Sequence, residues 1–361
     1  MAIEKRRLGR SGLEFTVLGL GGMRLPGLTT DDAVKVVRHA IDSGINHIET
    51  SRHYDDSEVK IGEALKDGYR DKVYLSTKNS KRDGPECRRE LEESLERLQV
   101  EKLDFFQMWF VNDMDNFRAL MAPGGALEEA KKARDEGLLD HIGITGHSKN
   151  HEMIEYIETG EFESVTIYYN ASDRAPAEIA ARAKELDVGV VCMGPLKGGF
   201  LTGKNERFRS FLGRLPGETT AQGALRWLVS DTNVTTAIPG FASVAEVDED
   251  VAVADRPPMS EHERRLVAAA LGSFDYLKQG LCTWCKYCEG CPEGIDIPKV
   301  LDLLYTSELY GAHEHARRRY SKLDKNASLC TACGRCVSKC PQKLPIPDLM
   351  VKVEELLGAG G

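Results

Sequence analysis

Eight cysteines carry the plainest chemistry in this 361-residue chain. Cys282, Cys285, Cys288 and Cys291 read C-x₂-C-x₂-C-x₂-C-P, and Cys330, Cys333, Cys336 and Cys340 read C-x₂-C-x₂-C-x₃-C-P. A C-x₂-C-x₂-C loop wraps three thiolates around one iron–sulfur cubane, and the proline after the fourth cysteine turns the chain toward a second cubane. The spacing predicts two [4Fe–4S] clusters, with Cys282, Cys285, Cys288 and Cys340 on one and Cys330, Cys333, Cys336 and Cys291 on the other. Structural zinc is the competing reading, and two complete four-cysteine runs that each end in Cys-Pro favour clusters. The two remaining cysteines, Cys87 and Cys192, read as small hydrophobes on a helix and a strand.

Composition bounds the setting of these thiols. With 48 Lys+Arg against 57 Asp+Glu, the net charge is −9, which argues against a nucleic-acid partner. No run of about 20 apolar residues is present, so no membrane-spanning helix is expected. The N-terminal MAIEKRRLGRSG has no apolar signal region. These features predict a cytoplasmic chain whose thiols stay reduced and bind metal rather than pair as disulfides. Oligomeric state leaves no trace in the sequence.

The cysteines need a frame, and the first 258 residues supply a different one. Short apolar runs at Thr16–Leu20, Asn46–Glu49, Val73–Thr77, Leu103–Gln107, His141–Thr145, Ser164–Ile167, Val188–Cys192 and Val234–Ile238 read as strands. Between them lie segments with helical apolar spacing, such as Leu91-Leu95-Leu98. Eight strand–helix units in this length predict an α/β fold, a (β/α)₈ TIM barrel over residues 1–258. A doubly wound sheet is disfavoured because Gly19-Leu-Gly21-Gly-Met-Arg24 fails G-x-G-x-x-G at its last position. A P-loop is disfavoured as well: Gly198 to Lys204 fits G-x-x-x-x-G-K, but Asn205 stands where Ser or Thr must bind Mg²⁺. Residues 259–361 then form a small α-helical, ferredoxin-like iron–sulfur domain, with helices expected at Ile297–Leu304 and Glu308–Tyr320. The run Arg317-Arg318-Arg319 on the second helix is a solvated or interdomain face, or a dock for an acidic redox partner protein.

Several motifs occur in a telling order: RRLGRSGLEFTVLGLGGMRL, GINHIETSRHYDDSEVKIGEAL, VYLSTKN, LDFFQMWFVN, HIGITGHS and TAIPGFASVAEVDED. In this order and spacing the chain resembles the aldo-keto reductase superfamily, and its cysteine tail points to the iron–sulfur subgroup. The resemblance implies carbonyl reduction with a nicotinamide, by a tyrosine acid, a lysine, an aspartate and a histidine at successive strand ends. Tyr54 and Lys78 match the tyrosine and lysine. A phenol must lose pKa to shuttle protons near neutrality, and a neighbouring ammonium favours its anion. Two positions depart from the pattern. Glu49 stands for the aspartate, keeping its charge at one methylene more reach. Trp109 stands for the histidine, and an indole donates one N–H but carries no proton. His53 and His147 are candidate proton relays or second-layer hydrogen-bonding residues.

The resemblance also implies where a nicotinamide would lie. Gly198, Gly199 and Gly240 would let backbone approach the phosphates. Gly22, Met23, Thr145, Asn170, Ser243 and Glu246 complete the implied site, with Thr166 standing where the family has glutamine. No Lys or Arg lies between Pro239 and Asp250, where the superfamily places cations for a 2′-phosphate, while Glu246, Asp248, Glu249 and Asp250 are acidic. This charge pattern favours NAD(H) unless Lys197, Lys204 or Arg207 folds over the phosphate.

The leading expectation is an iron–sulfur oxidoreductase of aldo-keto reductase type, acting on a small organic substrate with a carbonyl or activated C=C bond. Its catalytic residues would be Tyr54, Lys78, Glu49 and Trp109 at the C-terminal barrel face. Loss of the histidine leaves two other classes open, a non-redox lyase or isomerase on the same scaffold and an electron-transfer protein with a binding-only barrel.

Overall fold

The computed structural model describes residues 2–202, 212–272, 282, 286–308 and 313–358; Cys285, Lys204 and Arg207 lie outside the described residues. A short antiparallel hairpin, β1 (Lys5–Arg7) and β2 (Glu14–Thr16), opens the chain. The parallel strands are β3 (Leu20–Gly21), β4 (His47–Glu49), β5 (Tyr74–Asn79), β6 (Leu103–Met108), β7 (Leu139–Thr145), β8 (Ser164–Tyr168), β9 (Gly189–Met193) and β10 (Thr236–Ile238). They pair in sequence order into one eight-stranded sheet. A parallel bridge between Leu18 and Ala237 joins the last strand to the start of the first. Gly19 N donates to Ala237 O at 2.8 Å and Ala237 N to Val17 O at 2.9 Å, which closes the barrel.

The helices cover the strands outside. They are α1 (Thr30–Asp42), α2 (Ser57–Ala64), α3 (Gly84–Leu98), α4 (Met114–Met121), α5 (Ala126–Asp135), α6 (Asn150–Glu158), α7 (Ala177–Glu185), α8 (Thr220–Val229), α9 (Val244–Val251) and α10 (Glu261–Gly272). Capping marks several starts: Thr29 accepts from Asp32 N, Asp83 from Glu86 N and Thr219 from Gln222 N. The helix just past the expected boundary at 258, α10, packs on the barrel. Trp227 Nε1 donates to Arg264 O at 3.0 Å, and Arg264 pairs with Asp231 at 2.8 Å.

The first strand differs from expectation. Thr16–Leu20 was a single predicted strand, but Thr16 belongs to the hairpin, where Asn46 Oδ1 accepts from its N–H at 2.7 Å and its hydroxyl at 2.9 Å. The barrel strand begins later, at Leu20. The hairpin plugs the N-terminal end of the barrel, where Phe15 packs with Leu8, Phe105, Val191 and Ile238. With that end filled, chemistry has the C-terminal end, as in barrel enzymes generally.

The cysteine tail is helical: α11 (Ile297–Glu308), α12 (His313–Tyr320), α13 (Arg335–Lys339) and α14 (Ile346–Leu357). Val300, Leu304, Met350 and Val353 bury their side chains in a core continuous with that of the barrel.

Candidate active site and cysteine module

Glu49 ends β4 and Lys78 lies near the end of β5, both pointing inside the barrel and only 3% and 1% exposed. An ammonium has three donors, and Lys78 spends all three here. One goes to Glu49 Oε1 in a short ion pair, one to Thr50 O at 2.8 Å, and one to Tyr54 Oη at 3.1 Å. Burial lowers the Lys78 pKa and Glu49 opposes it; burial likewise raises Glu49 and Lys78 opposes that. The extra methylene of glutamate therefore still reaches the lysine. Tyr54 sits in the loop after β4, in a tight turn where Tyr54 N donates to Ser51 O and Ser57 N to Tyr54 O. Since Lys78 donates to the phenol oxygen, the phenol's own proton must point elsewhere.

A buried polar layer supports this triad. Gly22 is pressed against it: a Cβ there would lie 2.7 Å from Ser57 Oγ and 2.9 Å from Thr50 Oγ1. Glu58, fully buried, accepts from Thr77 Oγ1 at 2.7 Å and pairs with Arg97 at 2.9 Å. Its charge also favours the ammonium form of Lys78.

Trp109 follows β6, its N–H donating to Asn79 O at 2.8 Å beside the lysine strand. Arg82 Nη2 donates to Trp109 O at 2.9 Å and fixes the turn. The indole lies 5.1 Å from the ring of His53, the residue before Tyr54. His53 Nε2 is tied to Ser80 Oγ at 2.9 Å and lies 3.4 Å from Glu90. Burial pulls the Glu90 pKa up, but hydrogen bonds from His53 and Ser80 outweigh it and hold the carboxyl below its usual range. His147 is half-buried, its imidazole pushed down to about 4 by desolvation, so it is neutral near pH 7.

The residues implied for a nicotinamide split into two kinds. Gly198, Gly199 and Gly240 lie around the Arg24 side chain. The first two have φ of 64° and 91°, and a Cβ on Gly240 would meet Arg24 Cγ at 2.7 Å. Arg24, which in sequence is only the position where G-x-G-x-x-G fails, donates to Gly198 O at 2.9 Å and sets a guanidinium among these glycines. Lys197 is 2% exposed, and burial lowers its ammonium to about 8 against the opposing charge of Asp173. Met23 is exposed at the rim. The others make local contacts of their own. Ser243 caps α9 by accepting from Glu246 N, and Glu246 accepts from Ala242 N at 2.7 Å. Asn170 closes its own turn, accepting from Ser172 N and Asp173 N. Thr145 Oγ1 is buried without a hydrogen bond in the barrel interior. Glycines that let backbone approach closely, with the Arg24 guanidinium between them, fit a dinucleotide's phosphates.

In the tail, Cys291, Cys330, Cys333 and Cys336 line one hollow, walled by Ile346 and Met350. Elsewhere in the tail the Tyr305 phenol interacts with the Cys282 and Cys340 thiols and accepts from Cys282 N at 3.2 Å. Among the described residues no three His, Cys, Asp or Glu side chains converge as they would on a single metal ion. Soft thiol donors arranged around a hollow fit an iron–sulfur cubane.

A closed eight-stranded parallel barrel with a buried Lys–carboxylate pair and a half-buried tyrosine at its C-terminal end defines a reductase-type barrel, here joined to a cysteine module. The profile described as "Aldo/keto reductase family" matches residues 17–271, and "4Fe-4S dicluster domain" matches residues 281–344. The chain belongs to the aldo/keto reductase family and is an oxidoreductase of that type with a 4Fe-4S domain. An uncharacterized oxidoreductase of Bacillus subtilis, YqkF, is 26% identical over 297 residues, covering 72% of this chain and 94% of its own. The L-galactose dehydrogenase of Arabidopsis thaliana is 27% identical over 282 residues, covering 69% and 88%. An aldo/keto reductase from Klebsiella pneumoniae, solved with NADP and acetate, has the same fold: TM-score 0.65 at 21% identity, covering 76% of this chain and 98% of that one. No helix among the described residues is long and apolar enough to cross a membrane.

Proposed function

We propose that the protein reduces a small organic substrate, at a carbonyl or an activated C=C bond, with Tyr54 as proton donor. The observation that carries this reading is the saturated Lys78 ammonium, which holds Tyr54 Oη at 3.1 Å while paired to Glu49. When bound, a nicotinamide supplies a hydride to the substrate carbon. Tyr54 delivers its phenolic proton to the atom that becomes electron-rich, and the Lys78 donor stabilises the phenoxide left behind. Glu49 keeps Lys78 charged and aimed. Trp109 fills the space of a second proton donor and shapes the pocket, which leaves Tyr54 as the acid. Arg24, Lys197 and the glycines Gly198, Gly199 and Gly240 would hold the cofactor phosphates. The acidic Glu246 at the start of α9 favours NAD(H).

Two [4Fe–4S] clusters would be held by Cys282, Cys285, Cys288 and Cys340, and by Cys330, Cys333, Cys336 and Cys291. The hollow lined by the last four thiols supports that partition. When bound, the clusters supply single electrons, and Arg318 and Arg319, exposed on α12, suit an acidic redox partner protein.

The test is Tyr54→Phe, assayed anaerobically with NADH and a panel of aldehydes, ketones and enones. A general acid contributes about 10²–10⁴-fold, so turnover should fall by that factor with folding unchanged. Full activity in Tyr54→Phe, or turnover by the wild type without any nicotinamide, refutes the reading.

A further inference from the structure

Three aromatic rings meet where the cysteine tail touches the barrel. Tyr287, between Cys285 and Cys288 in the first cysteine run, lies 5.6 Å from Trp109 and 5.6 Å from Phe110, ring centre to ring centre. Trp109 and Phe110 are themselves 5.5 Å apart and nearly perpendicular. Trp109 in turn reaches His53, the residue before Tyr54 in the chain. A continuous chain of ring contacts therefore runs from the cysteine run to the proton donor's neighbour.

The backbone on both sides is held in a costly shape to make this contact. Phe110 has φ of 63° and Lys286 has φ of 62°, left-handed conformations at residues that carry a Cβ. Such strain persists only where surrounding structure over-determines it, and it concentrates at functional sites. Here it aims two rings, one from each domain, at the indole that replaces the family's proton donor. Position 287 is remote in sequence from the barrel, so this contact exists only through the tertiary fold.

We propose that Tyr287 is a specificity-determining residue of the active site. With Trp109 and Phe110 it forms an aromatic wall, contributed jointly by the barrel and the first cysteine run, that selects substrates bearing a flat ring beside the reducible group. This rests on the reading of the barrel mouth as the substrate site. Aromatic surfaces meet favourably in tilted and edge-on geometries, so a ring-bearing substrate gains a contact that a short aliphatic one cannot make. Binding then depends on the tail being in place, whatever electrons the tail carries.

The test compares benzaldehyde with propanal as probes on the intact holoprotein, in wild type, Tyr287→Ala and Tyr287→Phe. Binding is read by isothermal titration and turnover by the split between KM and kcat. Iron and sulfide contents are measured to confirm that the variants keep the wild-type load. Aromatic pairing predicts that Tyr287→Ala weakens benzaldehyde about three- to tenfold, as a rise in KM with kcat retained. Propanal should change less than about twofold, and Tyr287→Phe should restore benzaldehyde binding, since the ring and not the hydroxyl makes the wall. Equal losses for both probes, no loss for benzaldehyde, or a wild type that binds benzaldehyde no more tightly than propanal would overturn the proposal. Because binding is measured apart from turnover, a Tyr287 effect on affinity without reduction would sink the proposed function and leave the wall standing.

Discussion

Replacing Glu49 by Gln removes the carboxylate from a Lys78 ammonium that is 1% exposed and whose other two hydrogen-bond acceptors, Thr50 O and Tyr54 Oη, are uncharged. Breaking a buried pair by removing one partner costs about 3–5 kcal/mol, because the remaining charge stays desolvated. In a domain of roughly this size about 1 kcal/mol moves Tm by some 2–4 °C, so Glu49→Gln should lower the barrel's Tm by about 6–20 °C. Lys78→Met should cost a similar amount by stranding the carboxylate. The double variant Glu49→Gln/Lys78→Met contains no stranded charge, so it should be less destabilised than the sum of the two, with a coupling of at least about 1 kcal/mol. The assay is thermal unfolding followed by near-ultraviolet circular dichroism, with all three variants at one ionic strength. Single variants that shift Tm by less than about 2 °C, with additive effects in the double, would mean that the pair is weakly coupled and cannot hold Lys78 as argued.

Other outcomes follow from the same geometry. If the glycines around Arg24 hold the pyrophosphate, Arg24→Ala should weaken NADH and NADPH equally, since that group is common to both; wild type should bind NADH at least as tightly as NADPH, and fluorescence titration checks both statements. His47 and His147 are held at about 3 and about 4 by burial, below the ordinary 6.5. The unfolded chain therefore binds more protons, and stability should fall as pH drops from about 6.5 toward the folded values, by up to about 1.4 kcal/mol per pH unit for each histidine. Urea midpoints between pH 7 and 4.5 would show this, and His147→Gln should flatten the slope; a flat wild-type profile would contradict it. Cys291→Ala should remove about half of the iron if it ligates one cubane of two, measured by iron and sulfide analysis. Full retention would place Cys291 outside the ligand set.

Much of the barrel was legible because parallel strands buried on both faces read as short apolar runs, and seven of the eight expected runs coincide with strands to within a few residues. The first did not, because Thr16 is captured by the side chain of Asn46, thirty positions away. Tyr54, Lys78 and Glu49 were visible from local motifs at strand ends. Arg24 was not, since nothing around it in sequence says that Gly198 and Gly240 will fold beside it. Glu58 was equally silent, because a glutamate on a helix reads as solvated until Thr77 and Arg97 are found against it.

By itself the sequence determined the division into barrel and cysteine module, the eight thiols, and the exchange of the family's histidine for Trp109. These are properties of residue type and spacing along one chain, which local physics reads directly. Only the tertiary structure decided how Lys78 divides its three donors, that Arg24 lies among Gly198, Gly199 and Gly240, that Ser243 caps a helix, and that Tyr287 meets Trp109. Each of those depends on contacts between residues far apart in the chain, whose proximity is fixed by barrel closure and by packing of the tail upon it.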